Sequence, residues 1–189
     1  MAATMTRARN LARKPAMPKT RTPSRRIAVV IADPAWKKAC ATAPALVRRA
    51  ARAALKESSG PVEAAIALGS DALIRPLNRR YRRKDKPTNV LSFPARHTHT
   101  DPEQPRNLGD VVLALETIRA EARAQRKPFV NHLAHLTVHG ILHLLGYDHV
   151  RARDAAIMEK REIEILTMLG LPDPYAPRPS GKGNRARAR

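Results

Sequence analysis

The sequence has a single cysteine, Cys40, among its 189 residues. One thiol cannot form an internal disulfide, so the fold cannot depend on a disulfide framework, and the composition fits a reducing compartment. No apolar run approaches the roughly 18 residues that a bilayer-spanning helix needs, so no membrane segment is predicted. Aromatic residues make up only 3% of the chain. With so few rings for stacking, any contact with nucleic acid should rely on phosphates more than on bases.

Acidic residues are also scarce, and the formal net charge is +20. Residues 1–30 hold eight lysines and arginines without any acid, and residues 175–189 hold five. Between these ends, 23 basic residues stand against 16 acidic ones. We therefore expect a basic disordered arm over residues 1–26, one moderately basic domain over 27–175 and a basic disordered tail over 176–189. Such a balance favours polyanionic partners, although basic ends also serve solubility.

The arm has no apolar h-region, so it is not a secretory signal. Its composition is that of a disordered arm and also that of an organellar transit peptide. The disordered arm is favoured because the chain behind it is also rich in alanine and arginine. A cytoplasmic location is expected, with organellar targeting by the arm left open.

Short apolar runs and helical patterns follow one another through the middle of the chain. Strands are predicted at 26–31, 62–68, 89–94 and 109–115, and helices at 35–56, 71–80, 116–126, from Pro128 through the histidine segment, and at 153–169. Strands and helices mix without strict alternation. The sequence therefore predicts a single α+β domain, with a small mixed sheet packed against helices.

Three histidines have the spacing of a metal site. His139 and His143 are four residues apart, so on a helix both side chains project from one face. Gly146 can adopt a left-handed conformation that ends the helix and turns the chain, which lets His149 approach the same point. Three nitrogen ligands with one open position fit a catalytic zinc site better than a structural one, which four protein ligands normally close. Zinc in such a site lowers the pKa of bound water to roughly 7.

The same histidine spacing occurs in the metzincin metallopeptidases. In those enzymes a glutamate follows the first histidine and acts as the general base for peptide hydrolysis. Here that position is Gly140, which has no side chain to accept a proton. A metallopeptidase is therefore the weakest of the functions considered.

A second informative segment, residues 81–94, reads YRRKDKPTNVLSFP. Together with the histidine run at 139–149, it closely resembles the YbeY family of bacterial and organellar zinc-dependent endoribonucleases. Shorter matches lie at residues 108–111 and 158–175. The resemblance extends over roughly residues 62–175, in the order of the family's motifs.

The resemblance implies an α+β metalloprotein that cuts single-stranded RNA. It implies roles in ribosomal RNA maturation, notably at the small-subunit 3′ end, and in ribosome quality control. It also implies that His139, His143 and His149 bind one zinc ion, and that Arg82 is catalytic. A guanidinium at position 82 could hold the scissile phosphate bidentately and stabilise charge that develops in the transition state. The implied partners are an rRNA precursor, the small ribosomal subunit and its assembly factors, without a membrane.

Several alternatives remain at this level. His135, one turn before His139, could be a fourth ligand or a hydrogen-bond partner, but core packing is favoured. Asp148 either orients an imidazole or caps the turn. His97 and His99 are expected in an exposed polar loop. The competing function is a non-catalytic ribosome assembly factor that zinc stabilises, favoured by the basic ends and by the absence of an evident general base.

Overall fold

The computed structural model describes residues 24–95 and 104–176. The predicted arm and tail lie almost entirely outside the described residues, as do His97 and His99. Along the described part of the chain, the elements are β1 (Arg25–Ile31), α1 (Ala35–Ala39), α2 (Ala43–Ala54), a 3-10 turn (Leu55–Glu57), β2 (Val62–Gly69), α3 (Asp71–Arg82), β3 (Val90–Pro94), β4 (Arg106–Ala114), α4 (Leu115–Ala124), α5 (Phe129–Leu144) and α6 (Ala152–Met168). None of these helices is long and apolar enough to cross a membrane.

The strands form one four-stranded mixed sheet in the order β1-β2-β4-β3, which confirms the predicted α+β class. β1 and β4 both run parallel to β2, whereas β3 pairs antiparallel to β4. Gly109 lies opposite Pro94 with a φ of 113°. A Cβ atom at this position would be 2.1 Å from the carbonyl oxygen of Phe93, so only glycine allows the two strands to approach here.

The two faces of the sheet bury two separate apolar clusters. On one face, α5 packs against β3 and β4, where Val90, Val111 and Leu113 are buried, and α2 packs against β1 and α5. On the other face, Ile74 of α3 packs against Leu91 and neighbouring strand residues. Because successive strand residues point to opposite faces, the alternation within β3 decides which helix each residue contacts. The helix with the predicted metal ligands therefore lies across the sheet from α3.

Gly140 allows α5 to lie very close to β3 and β4. A Cβ atom at this position would be 2.8 Å from Cγ1 of Val111 and 3.2 Å from Oγ of Ser92. The hydroxyl of Ser92 donates a hydrogen bond of 2.9 Å to the carbonyl oxygen of Gly140. The position that carries the general base in metzincins is thus packed against the sheet, with no space for a carboxylate side chain.

The prediction of one continuous helix over residues 35–56 is wrong. The structure has two helices separated at residues 40–42, followed by a short 3-10 turn. Pro44 lies in the first turn of α2. In a continuous helix the proline ring would clash with the carbonyl group of Cys40, four residues earlier. Proline also has no N–H to donate to that carbonyl. The chain avoids both problems because Cys40 has an extended backbone conformation. The other predicted helices and strands are confirmed, with ends displaced by up to a few residues.

Candidate metal centre

Helix α5 ends in a turn that reverses the chain after His143. Gly146 has a φ of 94°, as the sequence predicted. The N–H of Tyr147 donates to the carbonyl of Leu142 over 3.0 Å, and the N–H of Gly146 donates to the carbonyl of His143 over 3.1 Å. This pair of bonds is the Schellman motif, in which a left-handed residue satisfies the last carbonyls of a helix. The turn brings His149 back towards the helix face that it has just left.

The structure brings His139, His143 and His149 together. One nitrogen atom of each ring lies within 4.8 Å of those of the other two. The Nε2 atoms of His139 and His143 are 3.1 Å apart. The His149 ring stacks on the ring of His139 with centroids 5.3 Å apart, and its centroid is 5.0 Å from that of His143. His139 and His143 are partly buried and His149 is exposed, so the cluster is accessible from solvent.

In His139 and His143 the Nδ1 atom of each ring donates a hydrogen bond, so the two Nε2 atoms that face each other are acceptors. Nδ1 of His139 donates to Oε1 of Glu162 over 2.7 Å, and Nδ1 of His143 donates to the carbonyl oxygen of Tyr147 over 3.0 Å. A neutral imidazole has one donor and one acceptor, so each Nε2 presents a lone pair to the other. Two lone pairs this close require a cation between them, either a proton or a metal ion. With a third nitrogen from His149, the donor set fits zinc.

The surroundings of His143 favour the neutral form that can bind a metal. Burial, followed by the neighbouring rings of His139 and His149, lowers the pKa of His143 to about 4. The carbonyl of Tyr147 and the carboxylate of Asp148 act in the opposite direction and are outweighed. At neutral pH the imidazole of His143 is therefore uncharged and ready to donate its lone pair.

Glu162, which is fully buried on α6, is a functional residue that was not predicted from the sequence. Its Oε1 atom accepts the hydrogen bond from His139, while its Oε2 atom accepts one of 2.7 Å from Nε2 of His135 and another from the hydroxyl of Tyr175. Burial opposes ionisation of this carboxyl, but the hydrogen bonds from His135 and His139 outweigh it and lower the pKa of Glu162 to about 2. The carboxylate therefore stays ionised and fixes the orientation of the His139 ring.

A sequence signal for Glu162 does exist. Met158, Ile165 and Leu166 are the other buried residues of α6, at helical spacing from Glu162. An acid within an apolar stripe must be paired when the stripe is buried, because an unpaired buried charge is costly. The signal predicts a buried partner without saying which residue that partner is.

The structure also decides the roles of two neighbouring residues. His135 is not a member of the three-histidine cluster, and its Nε2 atom binds Glu162. Of the alternatives considered for His135, the hydrogen-bond partner is the one that the structure contains. Oδ1 of Asp148 accepts a hydrogen bond of 2.7 Å from the backbone N–H of His149. Asp148 thus supports the turn, and no imidazole in the described part of the chain donates to its side chain.

The structure does not bring Arg82 into the histidine cluster. Arg82 is the last residue of α3 and is exposed, and its side chain has no hydrogen bond or ion pair with another described residue. The preceding residue, Tyr81, stacks edge-on against Phe93 of β3, with ring centroids 5.0 Å apart. The next strand residue towards the amino end, Ser92, faces the other side and binds Gly140. Arg82 and the histidine helix are therefore connected through the edge strand β3.

Comparison with known proteins identifies relatives of this chain. The family model described as Endoribonuclease YbeY matches residues 32–170. A protein named Endoribonuclease YbeY from Nitrobacter hamburgensis is 47% identical over 169 residues, which cover 86% of this chain and 85% of that protein. Another of that name, from Rhodopseudomonas palustris, is 50% identical over 152 residues, covering 78% of this chain and 80% of that protein.

A solved structure shares the fold. The solution structure of TM1509 from Thermotoga maritima superimposes with a TM-score of 0.51 at 22% identity, covering 80% of this chain and 99% of that chain. At this identity the likeness concerns the fold alone. The family match and the two close relatives extend over most of the sequence. The chain therefore belongs to the Endoribonuclease YbeY family.

Proposed function

We propose that the protein is a zinc-dependent endoribonuclease that hydrolyses phosphodiester bonds in single-stranded RNA. In this proposal His139, His143 and His149 bind one zinc ion, and Arg82 binds the scissile phosphate. The observation that carries the proposal is the pair of facing Nε2 lone pairs, 3.1 Å apart, beside a third histidine and open to solvent. Family membership supplies the RNA substrate, since the relatives are named endoribonucleases.

The roles of the protein's own residues follow from their contacts. When bound, zinc supplies Lewis acidity towards a phosphoryl oxygen or a water molecule. Glu162 and the carbonyl of Tyr147 hold the His139 and His143 rings so that both Nε2 atoms face the same point. The exposed guanidinium of Arg82 can bind two phosphate oxygens and stabilise charge that develops on them. Glu162 is buried and already accepts three hydrogen bonds, so it orients His139 and does not take a proton from the substrate.

The proposed biological substrate is an rRNA precursor, cut at the 3′ end of the small-subunit rRNA, with a further role in ribosome quality control. The small ribosomal subunit and its assembly factors are the proposed partners, and the cytoplasm is the proposed location. The motif resemblance at residues 81–94 and 139–149 supports this role, and so does the net charge of +20, which favours polyanions.

A cleavage assay on such a precursor tests the proposal. We expect cleavage by the zinc-loaded protein, and loss of cleavage after chelation or in His143→Ala. Arg82→Ala should lower kcat/KM by about 100-fold to 1,000-fold, the usual effect of removing one group that stabilises transition-state charge. Arg119→Ala is the matched control, because Arg119 is an exposed arginine on α4, and it should cleave normally. Full activity of metal-stripped His143→Ala would refute the proposal.

The alternative is a non-catalytic assembly factor that zinc stabilises. One observation favours it: Glu162, the acid that binds the cluster directly, is buried and occupied by three hydrogen bonds, so it is not available as a general base. Under this alternative, cells with Arg82→Ala as their sole copy would still mature their rRNA, because this substitution leaves the three histidines in place. Under our proposal they accumulate the precursor. A peptidase is opposed by Gly140, and the zinc-loaded protein should leave a peptide library uncut.

A further inference from the structure

A second positively charged surface lies on α2, outside the histidine cluster. Here the α2 groove denotes the depression of about 400 Å³ lined by Arg48, Arg49, Arg52, Lys56 and Leu169. The first three residues belong to α2, Lys56 lies in the 3-10 turn that follows, and Leu169 caps the C-terminal end of α6. Nothing in the proposed chemistry uses this groove.

Three of its cations are available for an external ligand. Arg49 donates a hydrogen bond of 2.6 Å to the carbonyl oxygen of Leu169, so it is engaged by the end of α6. The side chains of Arg48, Arg52 and Lys56 have no hydrogen bond or ion pair with any other described residue. They recur every fourth residue, which places them about 6 Å apart along the axis at the helical rise of 1.5 Å per residue. A row of cations in a concavity concentrates positive potential and attracts a polyanion.

The composition of the groove favours a phosphate backbone. Its lining contains no aromatic ring, so bases have no surface on which to stack. Its apolar members are alanines and Leu169 alone, which is too little apolar surface for a helix that inserts into a membrane interface. Guanidinium groups bind phosphates bidentately and independently of sequence. The chemistry of the groove therefore matches a nucleic acid strand better than a lipid surface.

We propose that the α2 groove binds the phosphate backbone of the RNA substrate, beside the site of cleavage. This inference rests on the proposed function, because it assumes that RNA is the substrate. Leu169 follows Glu162 by seven residues, about 10 Å along the axis of α6. Glu162 in turn binds His139. The groove thus lies at the end of the helix that carries Glu162, and in this proposal it adds affinity for RNA without taking part in the chemistry.

Salt-dependent RNA binding tests the inference. The full-length, metal-free protein would be titrated into a short labelled uridine oligonucleotide by fluorescence anisotropy, at salt concentrations from about 50 to 200 mM. The groove variant is Arg48→Gln with Arg52→Gln. The control is Arg119→Gln with Arg123→Gln, two exposed arginines at the same spacing on α4. Each phosphate contact with a single strand contributes about 0.7 to the magnitude of the slope of log K against log salt. The slope of the groove variant, which lacks two cations, should therefore be smaller by about 1.4, and the slope of the control should be unchanged.

The possible outcomes separate this inference from the proposed function. Equal slopes for the groove variant and the control overturn the inference, and so does a wild-type protein that binds no RNA. A groove variant that loses binding to anionic vesicles while keeping its RNA slope also overturns it. Groove-dependent binding without cleavage of the precursor supports the groove and refutes the nuclease. Cleavage of the precursor together with an unchanged salt slope in the groove variant supports the nuclease and refutes the groove. Thermal melts of both variants establish that each is folded.

Discussion

At the scale of single residues, one buried carboxylate orients the candidate metal centre. Glu162 can only accept hydrogen bonds, because its low pKa keeps it ionised, and so His139 must donate from Nδ1 and present a lone pair at Nε2. His135 and Tyr175 donate to the other oxygen atom of the same carboxylate. An amide in this position would have an NH₂ group facing a donor, and at least one of the three bonds would be lost.

We therefore expect Glu162→Gln to weaken zinc binding by about 10-fold to 100-fold, the usual cost of removing the hydrogen-bond partner of a ligand histidine. Competition with a chromophoric chelator measures the affinity. Glu121→Gln is the matched control: Glu121 accepts a hydrogen bond of 2.9 Å from Nε2 of the buried His132, which is not a member of the cluster. The control should bind zinc normally. A similar loss of affinity in both variants would mean that the effect is general destabilisation.

The lowered pKa of His143 predicts a loss of stability in acid for the metal-free protein. The pKa is 6.5 for an ordinary histidine and about 4 in the folded state, so between these values the unfolded chain binds more protons. The contribution of neutral His143 to the free energy of unfolding is complete above pH 6.5 and is lost as the pH falls towards 4. This stability amounts to about 3 kcal/mol, at 1.36 kcal/mol for each pKa unit between 6.5 and about 4.

Urea unfolding at pH 7 and pH 4.5 measures this contribution. The free energy of unfolding should fall less with acidification in His143→Gln than in the wild-type protein, because glutamine does not titrate. Equal falls in the two proteins would show that His143 is not perturbed as its surroundings indicate.

At the scale of helices and turns, α5 and α6 end in the same way. Gly146 and Gly170 are both left-handed, with φ values of 94° and 74°, and neither Cβ position has a neighbouring atom within 4 Å. After α6, the N–H of Leu171 donates to the carbonyl of Leu166 over 2.9 Å, which matches the bond from Tyr147 after α5. Only the turn after α5 leads to a histidine of the cluster.

This pair of turns offers a controlled experiment. Gly146→Ala and Gly170→Ala should each lower the free energy of unfolding by about 1 to 2 kcal/mol, the cost of a side chain in the left-handed region. Zinc affinity should fall only in Gly146→Ala, because that turn positions His149 and the carbonyl that binds His143. Denaturant unfolding and chelator competition measure the two effects. Wild-type zinc affinity in Gly146→Ala would contradict the role assigned to the turn.

At the scale of the whole molecule, the histidine cluster joins parts of the chain that are distant in sequence. Two of its histidines lie on α5, the third follows the turn, and Glu162 connects the cluster to α6. A ligand that binds only the folded state stabilises it in proportion to the logarithm of its concentration over Kd. Zinc should therefore stabilise the entire domain and not only the turn that contains His149.

We expect zinc at 100 times its Kd to raise the free energy of unfolding by about 2.7 kcal/mol. His143→Ala should show little of this increase, whereas Cys40→Ser should show all of it, because the lone thiol lies outside the cluster. Thermal unfolding with and without zinc measures the effect. An increase in wild-type protein that persists undiminished in His143→Ala would place the zinc elsewhere.

The sequence by itself determined the α+β class, the common helix face of His139 and His143, and the left-handed turn at Gly146. These features are local, because the helical period and the freedom of glycine act over a few residues. Pro44 also indicates the helix break before α2, but the apolar pattern of residues 35–56 favoured the prediction of one continuous helix.

Only the tertiary structure decided which groups orient the ligands and where the predicted phosphate-binding arginine lies. The pairing of Glu162 with His139 depends on how α6 packs against α5, and the position of Arg82 depends on α3 lying across the sheet from both histidine ligands of α5. The α2 groove likewise exists because the end of α6 meets α2. Such contacts join residues far apart in the chain, and their geometry is set by the packing of whole elements, which no local sequence pattern specifies.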